Sequence, residues 1–165
     1  MQVSDSKRDY TNAAQGYYNL STVAGLAPEE AHKLFDLGLV CAILAPSGPR
    51  KDRNLALILK DERVKVSEHF DLVNKFATGS VIKPSQTKKF EAKLQVHQQI
   101  RFSDGYTSLD KALIEHNMRV LSKIYLNITF EELGNFLGIS SDQAETIIAK
   151  MIGEQRVTGK LDQIN

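Results

Sequence analysis

Cysteine and histidine are scarce in the 165-residue sequence: Cys41 is the only cysteine, and the four histidines stand at positions 32, 69, 97 and 116. A single cysteine excludes an internal disulfide, and the histidines lack the close spacing of zinc ligands. Cys41 falls on a helical packing face, with no His or Lys placed nearby in sequence to lower the pKa of its thiol. We therefore expect a buried, unreactive cysteine and no metal or other cofactor.

Long apolar runs are missing as well. The longest covers residues 37–45 and contains Gly38, so it is too short to span a bilayer, and the polar N-terminus is unlike a signal peptide. These absences favour an intracellular, soluble protein. Its 42% of hydrophobic residues are enough for the core of one domain or of two small ones.

Catalytic motifs are a third absence: the sequence has no glycine-rich phosphate loop, no nucleophile elbow and no HExxH motif. The adjacent residues Glu115, His116 and Asn117 form the strongest candidate group, but neighbouring residues of a helix point about 100° apart and cannot converge on one substrate. We interpret His116 as a buried residue that fixes helix packing through a hydrogen bond, and Glu115 and Asn117 as structural too. The chain is not expected to be an enzyme.

The clearest positive signals lie near the C-terminus. Thr129 followed by Glu132, and Ser140 followed by Gln143, each fit a capping box, in which the two side chains bind free N–H groups at a helix start. Gly138 stands where a left-handed residue would end the first of the two helices. These structural residues predict two short helices joined by a tight corner.

Apolar spacing gives each of these helices one packing face. The faces comprise Phe130, Leu133, Phe136 and Leu137 in the first helix, and Ala144, Ile147, Ile148, Met151 and Ile152 in the second. Such a corner is typical of a helix-turn-helix, with an ordinary corner between two helices of a helical domain as the alternative. Ile128 before it and residues 160–164 after it could form the flanking strands of a winged helix.

Upstream, apolar periodicity predicts helices over residues 6–20, 28–44, 52–60, 67–77 and 85–96, followed by a long helix over 108–125. The fourth helix is expected to bury one face, formed by Phe70, Val73 and Ala77. The long helix is expected to bury two faces. One comprises Leu109, Ala112, Leu113, His116 and Val120, and the other comprises Ile114, Leu121, Ile124 and Tyr125. The 85–96 helix is basic, and its Lys88, Lys89 and Lys93 are expected to face solvent, with an interaction patch as the alternative.

The predicted fold is mainly α. Residues 1–106 form an array of helical pairs like that of TPR or HEAT proteins, and residues 107–165 form a bridging helix and a winged-helix subdomain with a truncated wing. The helical pairs share no fixed period, so only a solenoid-like arrangement is predicted.

Charge separates the possible binding functions. From residue 128 onward six acidic residues stand against three basic ones, although the formal net charge of the chain is +1. A helix that enters DNA should bring Lys and Arg to the phosphates, whereas Asp142, Glu145 and Glu154 would repel them. Protein assembly is the favoured function, because an edge strand on a wing can pair with another chain and a helical array offers extended surface.

The chain resembles the PCI domain in two sequence runs and in the helical pairs that precede them. The runs are residues 109–117 (LDKALIEHN) and 127–134 (NITFEELG). This family is shared by the proteasome lid, the COP-nine signalosome and the eukaryotic translation initiation factor three complex. Residues 41–45 (CAILA), 54–63 (NLALILKDER) and 159–164 (GKLDQI) are similar to signalosome members of the family, with a proteasome-lid PCI subunit as the alternative.

The resemblance implies a non-catalytic scaffold subunit that mediates assembly of the signalosome, the complex that removes the ubiquitin-like modifier Nedd8 from cullin-RING ubiquitin ligases. The isopeptidase zinc site belongs to a different subunit of that complex. The implied partners are other PCI subunits and, indirectly, cullin-RING ligases, in the cytoplasm and nucleus. No membrane is implied. Some PCI proteins of messenger-RNA export bind nucleic acid across the winged helix, which is the alternative from another functional class.

PCI subunits join through the edges of their winged helices, which places the expected partner interface at the wing. By position its residues are Ile128, Lys160, Leu161, Asp162, Gln163 and Ile164. The family continues with a further strand and long helices, so the chain is expected to be a fragment whose strand around Leu161 presents an open edge. We expect dimerisation through that edge, and a strictly monomeric chain in solution would contradict it.

Overall fold

The computed structural model describes residues 4–5, 7–124 and 127–158. These residues contain eight α-helices and no strand, so the predicted mainly α fold is confirmed. The helices are α1 (Tyr10–Ser21), α2 (Pro28–Leu44), α3 (Pro49–Lys60), α4 (Phe70–Thr78), α5 (Lys88–Glu91), α6 (Ser108–Ile124), α7 (Phe130–Leu137) and α8 (Ser141–Gly153). Three short 3₁₀ segments, Glu62–Val66, Pro84–Gln86 and Val96–Gln98, lie between them.

Local side-chain chemistry explains where the first helices begin. The Asp9 carboxylate accepts a hydrogen bond from the Asn12 N–H (3.3 Å), which caps α1 and sets its start at Tyr10. Helix α3 begins at Pro49, three residues before the predicted start, because proline has no N–H and suits the first helical position.

The predicted helix over residues 85–96 is wrong as a continuous element. The described chain forms only a 3₁₀ turn and the short α5 there, followed by a second 3₁₀ turn. Glutamine side chains compete for the backbone: Gln98 accepts from the Gln95 N–H (3.1 Å), and Gln99 donates to the Leu94 carbonyl (2.7 Å). The three lysines of this region, Lys88, Lys89 and Lys93, are exposed as predicted.

Three residues that the apolar stripes predict as buried are exposed. Ala77 faces solvent because Phe76 fills the core position on α4. Ile124 is the last residue of α6 and is 64% exposed, beyond Leu121, which remains in the core. Phe136 is 53% exposed although it lies on the predicted packing face of α7.

Two hydrophobic cores organise the described residues, and α6 contributes to both. Leu109 and Leu113 pack with residues of α1 to α5 in the larger core. Ile114, Met118 and Leu121 pack with α7 and α8 in the smaller one. The long helix therefore bridges the two cores, and the domain boundary after residue 106 stays a prediction.

The corner between α7 and α8 follows its local sequence. Both predicted capping boxes are present: Thr129 accepts from the Glu132 N–H (3.1 Å), and Ser140 accepts from the Gln143 N–H (3.2 Å). Gly138 ends α7 in the left-handed conformation, with φ of 71°.

The close approach at this corner requires a glycine at position 134. The Ile139 N–H donates to the Gly134 carbonyl (2.9 Å), which brings the start of α8 against α7. A Cβ on Gly134 would lie 2.7 Å from the Ile139 carbonyl oxygen and 3.2 Å from Ser140 backbone. These neighbours are backbone atoms, so a side chain fits only if the corner moves.

Gly134→Ala should therefore destabilise the chain by about 1–3 kcal/mol, the usual cost of overpacking. The measurement is the midpoint of urea unfolding followed by circular dichroism. Gly153→Ala is the matched control, because a Cβ there meets no atom within 4 Å and alanine favours the helix. Equal midpoints for the two variants would contradict the tight corner.

Candidate assembly interface

Glu115 joins three segments of the chain. Its Oε2 atom accepts from the Ser47 N–H (3.0 Å) and from Nη1 of Arg156 (2.6 Å), and Arg156 Nη1 also donates to the Ser47 carbonyl (3.3 Å). Both charged side chains are largely buried, with 12% of Arg156 and 14% of Glu115 exposed. Because removal of either partner would leave a poorly solvated charge, the pair holds α6, the loop before α3 and the chain after α8 together.

His116 lies on another side of α6. Its Nε2 is 2.8 Å from the Ser80 carbonyl oxygen, and its ring packs against Phe76 with 4.6 Å between ring centroids. The carbonyl can only accept, so Nε2 carries the hydrogen. Burial lowers the pKa of His116 from 6.5 to about 4, and the imidazole is neutral at pH 7.

Asn117 clamps the segment that follows α4. Its Oδ1 accepts from the Ile82 N–H (2.9 Å), and its Nδ2 donates to the Ile82 carbonyl (2.8 Å). Ile82 lies outside any helix, so helical hydrogen bonds are not available to its backbone. The side-chain amide of Asn117 therefore supplies both hydrogen bonds that a neighbouring strand would make to the Ile82 backbone in a sheet.

Lys51, which the sequence reasoning did not single out, is a fourth buried polar residue. Its Nζ donates to the carbonyls of Ile43 (2.6 Å) and Ala45 (2.9 Å) at the end of α2, and lies 4.1 Å from the centre of the Phe76 ring. Burial lowers the pKa of Lys51 to about 7. Helical spacing in the sequence could have indicated that Lys51 is buried, because Lys51 lies on the same face of α3 as the buried Leu55 and Ile58.

The structure therefore spreads Glu115, His116 and Asn117 over three directions, each with its own partner in the same chain. Within the part of the chain that the structure describes, no group of three or more His, Cys, Asp or Glu side chains could hold a metal ion. No helix among these residues is long and apolar enough to cross a membrane.

Of the predicted wing residues, Ile128 alone is described, and it is not part of a strand. It is half-buried and packs in the smaller core with Leu133, the N′ and N4 positions of a hydrophobic staple around the Thr129 cap. The expectation of a strand at Ile128 is wrong, because its side chain fixes the entry into α7. The other wing residues, Lys160, Leu161, Asp162, Gln163 and Ile164, and the predicted open edge lie outside the described residues.

Residues 67–165 match the PCI domain, and the chain belongs to this family. The match includes the bridging helix and the corner whose geometry is described above. The predicted PCI architecture is thereby confirmed.

The chain is similar to proteins named COP9 signalosome complex subunit 4. The identity is 40% over 163 residues to the protein of Dictyostelium discoideum, 39% over 165 residues to that of Neurospora crassa and 40% over 164 residues to that of Drosophila melanogaster. Each alignment covers 99% of this chain but only 41%, 38% and 40% of the respective relative. The chain thus spans about two-fifths of the length of the curated relatives it matches. The predicted resemblance of the chain to signalosome members of the PCI family is confirmed.

Asn117→Ala should destabilise the chain by about 2–4 kcal/mol, because it leaves the buried N–H and carbonyl of Ile82 without partners. Chemical denaturation of the whole chain measures the change. Asn74→Ala is the control, since Asn74 is exposed in the middle of α4 and alanine has the higher helix propensity. A loss below 0.5 kcal/mol for Asn117→Ala would contradict the clamp, since changes of about that size are usual for surface substitutions.

Stability should fall as the pH drops from about 6.5 towards 4, because unfolded His116 binds a proton in this range and folded His116 does not. The full contribution is on the order of 3 kcal/mol, present above pH 6.5 and lost as the pH falls to the folded pKa. Free energies of unfolding measured from pH 4 to 7 test this slope.

His116→Gln keeps a donor for the Ser80 carbonyl but removes the titration, so its acid slope should be shallower. Part of the pH dependence of stability that remains in this variant comes from His69, because burial also lowers the pKa of His69. His32→Gln is the control, because His32 is exposed. Unchanged slopes in His116→Gln would show that His116 titrates normally in the folded chain.

Proposed function

We propose that this chain acts as a non-catalytic scaffold subunit of the COP9 signalosome and joins other PCI subunits of that complex. The observation that carries the proposal is the similarity of 99% of the chain to proteins named COP9 signalosome complex subunit 4. On this proposal the chain serves deneddylation of cullin-RING ubiquitin ligases indirectly, in the cytoplasm and nucleus.

The geometry of α6 supports a structural role for its polar residues. Every polar side-chain atom of Asn117 is bound to Ile82, and Nε2 of His116 is bound to Ser80. Glu115 is bound to Arg156 and Ser47. A catalytic group needs polar atoms that converge on a substrate, whereas these atoms are engaged in three separate contacts within the chain.

The proposed partner interface is the wing, from Ile128 and from residues 160–164. The chain that leads into the second segment is anchored: Arg156 pairs with Glu115, and Val157 is buried in the smaller core. These contacts anchor the described chain up to Val157 against α6 and the smaller core. A protein partner is favoured over nucleic acid because Glu131, Glu132 and Asp142 are exposed on α7 and α8.

The test is a binding measurement between the whole chain and each purified PCI subunit of the signalosome. At least one subunit should bind. Leu161→Asp and Ile164→Asp should each weaken this binding about tenfold or more, since a charge would replace apolar contact area at the interface.

Val96→Asp is the matched control, because Val96 is 83% exposed on the helical part and has the same change of character. Its affinity should equal that of the unmodified chain. Failure of all PCI subunits to bind would overturn the proposed function, and salt-dependent binding of single-stranded RNA would then favour the nucleic-acid alternative.

A further inference from the structure

An open groove of about 880 Å³ separates the surfaces of the two cores. Helix α6 forms its floor, the segment from Val81 to Lys88 forms one wall, and the corner from Phe136 to Gln143 forms the other. This volume lies towards the upper end of the range of about 300–1,000 Å³ that is usual for ligand-binding clefts.

The groove has an apolar lining that continues into an exposed aromatic ring. The half-buried residues Val81, Tyr106, Leu137 and Ile139 line it, and Phe136 stands at its edge with 53% of its surface exposed. A single exposed apolar residue needs no explanation, but one that extends an apolar cleft indicates a binding surface.

Most charged groups at the rim of the groove that lack an ion-pair partner among the described residues are positive. Lys83 and Lys88 line the groove, are exposed, and form no ion pair within the described residues. Arg101 donates to the Gly105 carbonyl (2.7 Å) and likewise has no carboxylate partner there.

The acidic residues of the rim are largely engaged already. Asp104 pairs with Lys111 (2.7 Å), and Asp110 accepts from the Thr107 N–H at the start of α6 (2.9 Å). Glu91 is the one rim carboxylate without such a contact among the described residues. Lys83, Lys88 and Arg101 thus face two carboxylates without an ion-pair partner among the described residues, Glu91 and Asp110, and the remaining excess of one positive charge favours an apolar ligand that carries negative charge.

Both walls are fixed before any ligand binds. Asn117 holds Ile82 against α6 through two hydrogen bonds, and the capping box of Ser140 fixes the opposite corner. A preformed groove lowers the conformational cost of association.

We propose that this groove binds an acidic amphipathic segment of a neighbouring protein subunit. The apolar face of that segment contacts Phe136 and the lining of the groove, and its Asp or Glu side chains pair with Lys83 and Lys88. Nucleic acid fits less well, because most of the apolar lining is aliphatic rather than aromatic. This inference rests on the proposed function and adds a second contact surface to the wing.

The first test reverses the charge of the rim in the whole chain. Lys83→Glu combined with Lys88→Glu should weaken binding of the PCI subunit that the chain captures by about tenfold, and Phe136→Ser should weaken it to a similar degree. Lys60→Glu combined with Lys65→Glu is the control, because these lysines lie outside the groove lining. The control should keep the affinity of the unmodified chain, and circular dichroism should show that each variant is folded.

The second test places the photoreactive residue p-benzoylphenylalanine at position 136 and identifies the cross-linked peptide in the assembled subunits by mass spectrometry. The expected peptide has apolar residues at helical spacing flanked by Asp or Glu. Cross-linking to RNA, to a second copy of this chain or to a basic segment would overturn the inference.

The outcomes separate the two proposals. If a PCI subunit binds the chain and the groove variants bind it as tightly as the unmodified chain, the groove inference fails while the scaffold function stands. If no subunit binds, both fail.

Discussion

The fold depends on the requirement that polar groups buried along α6 find partners. Glu115, His116 and Asn117 follow one another in a helix that is packed on several sides, and none of them can reach water freely. Each one binds a segment that lacks a regular hydrogen-bond ladder: the loop at Ser47, the chain at Ser80 and Ile82, and the chain at Arg156. An unpaired buried polar group costs about 1–3 kcal/mol, so these contacts are strongly selected over alternatives that leave the groups unbound.

This arrangement positions the surfaces through which we propose that the chain assembles. The clamp at Ile82 forms one wall of the groove, and the ion pair at Arg156 anchors the described chain that follows α8. Both contacts are made by side chains of α6, the helix that contributes to both cores. On our proposal, the residues that look most like a catalytic group position binding surfaces of a chain that belongs to the PCI-domain family.

Features set by neighbouring residues could be predicted from the sequence. The caps at Thr129 and Ser140, the left-handed Gly138 and the two-sided packing of α6 each depend on spacing within a few turns. Features set by distant residues could not. Lys51 is buried because the end of α2 offers two carbonyls, and Phe136 is exposed because the facing wall leaves a groove. Residues 85–96 fail to form one helix because glutamine side chains bind backbone groups that a helix would use.

The most direct test of this account is amide hydrogen exchange at Ile82, compared with Leu39 in the larger core and Ile148 in the smaller one. If the polar contacts of α6 join both cores into one cooperative unit, the three amides should be protected with similar free energies of opening, although Ile82 lies outside any helix. Exchange of the Ile82 amide at a nearly unprotected rate, or clearly different opening free energies for the two cores, would contradict the central role of α6.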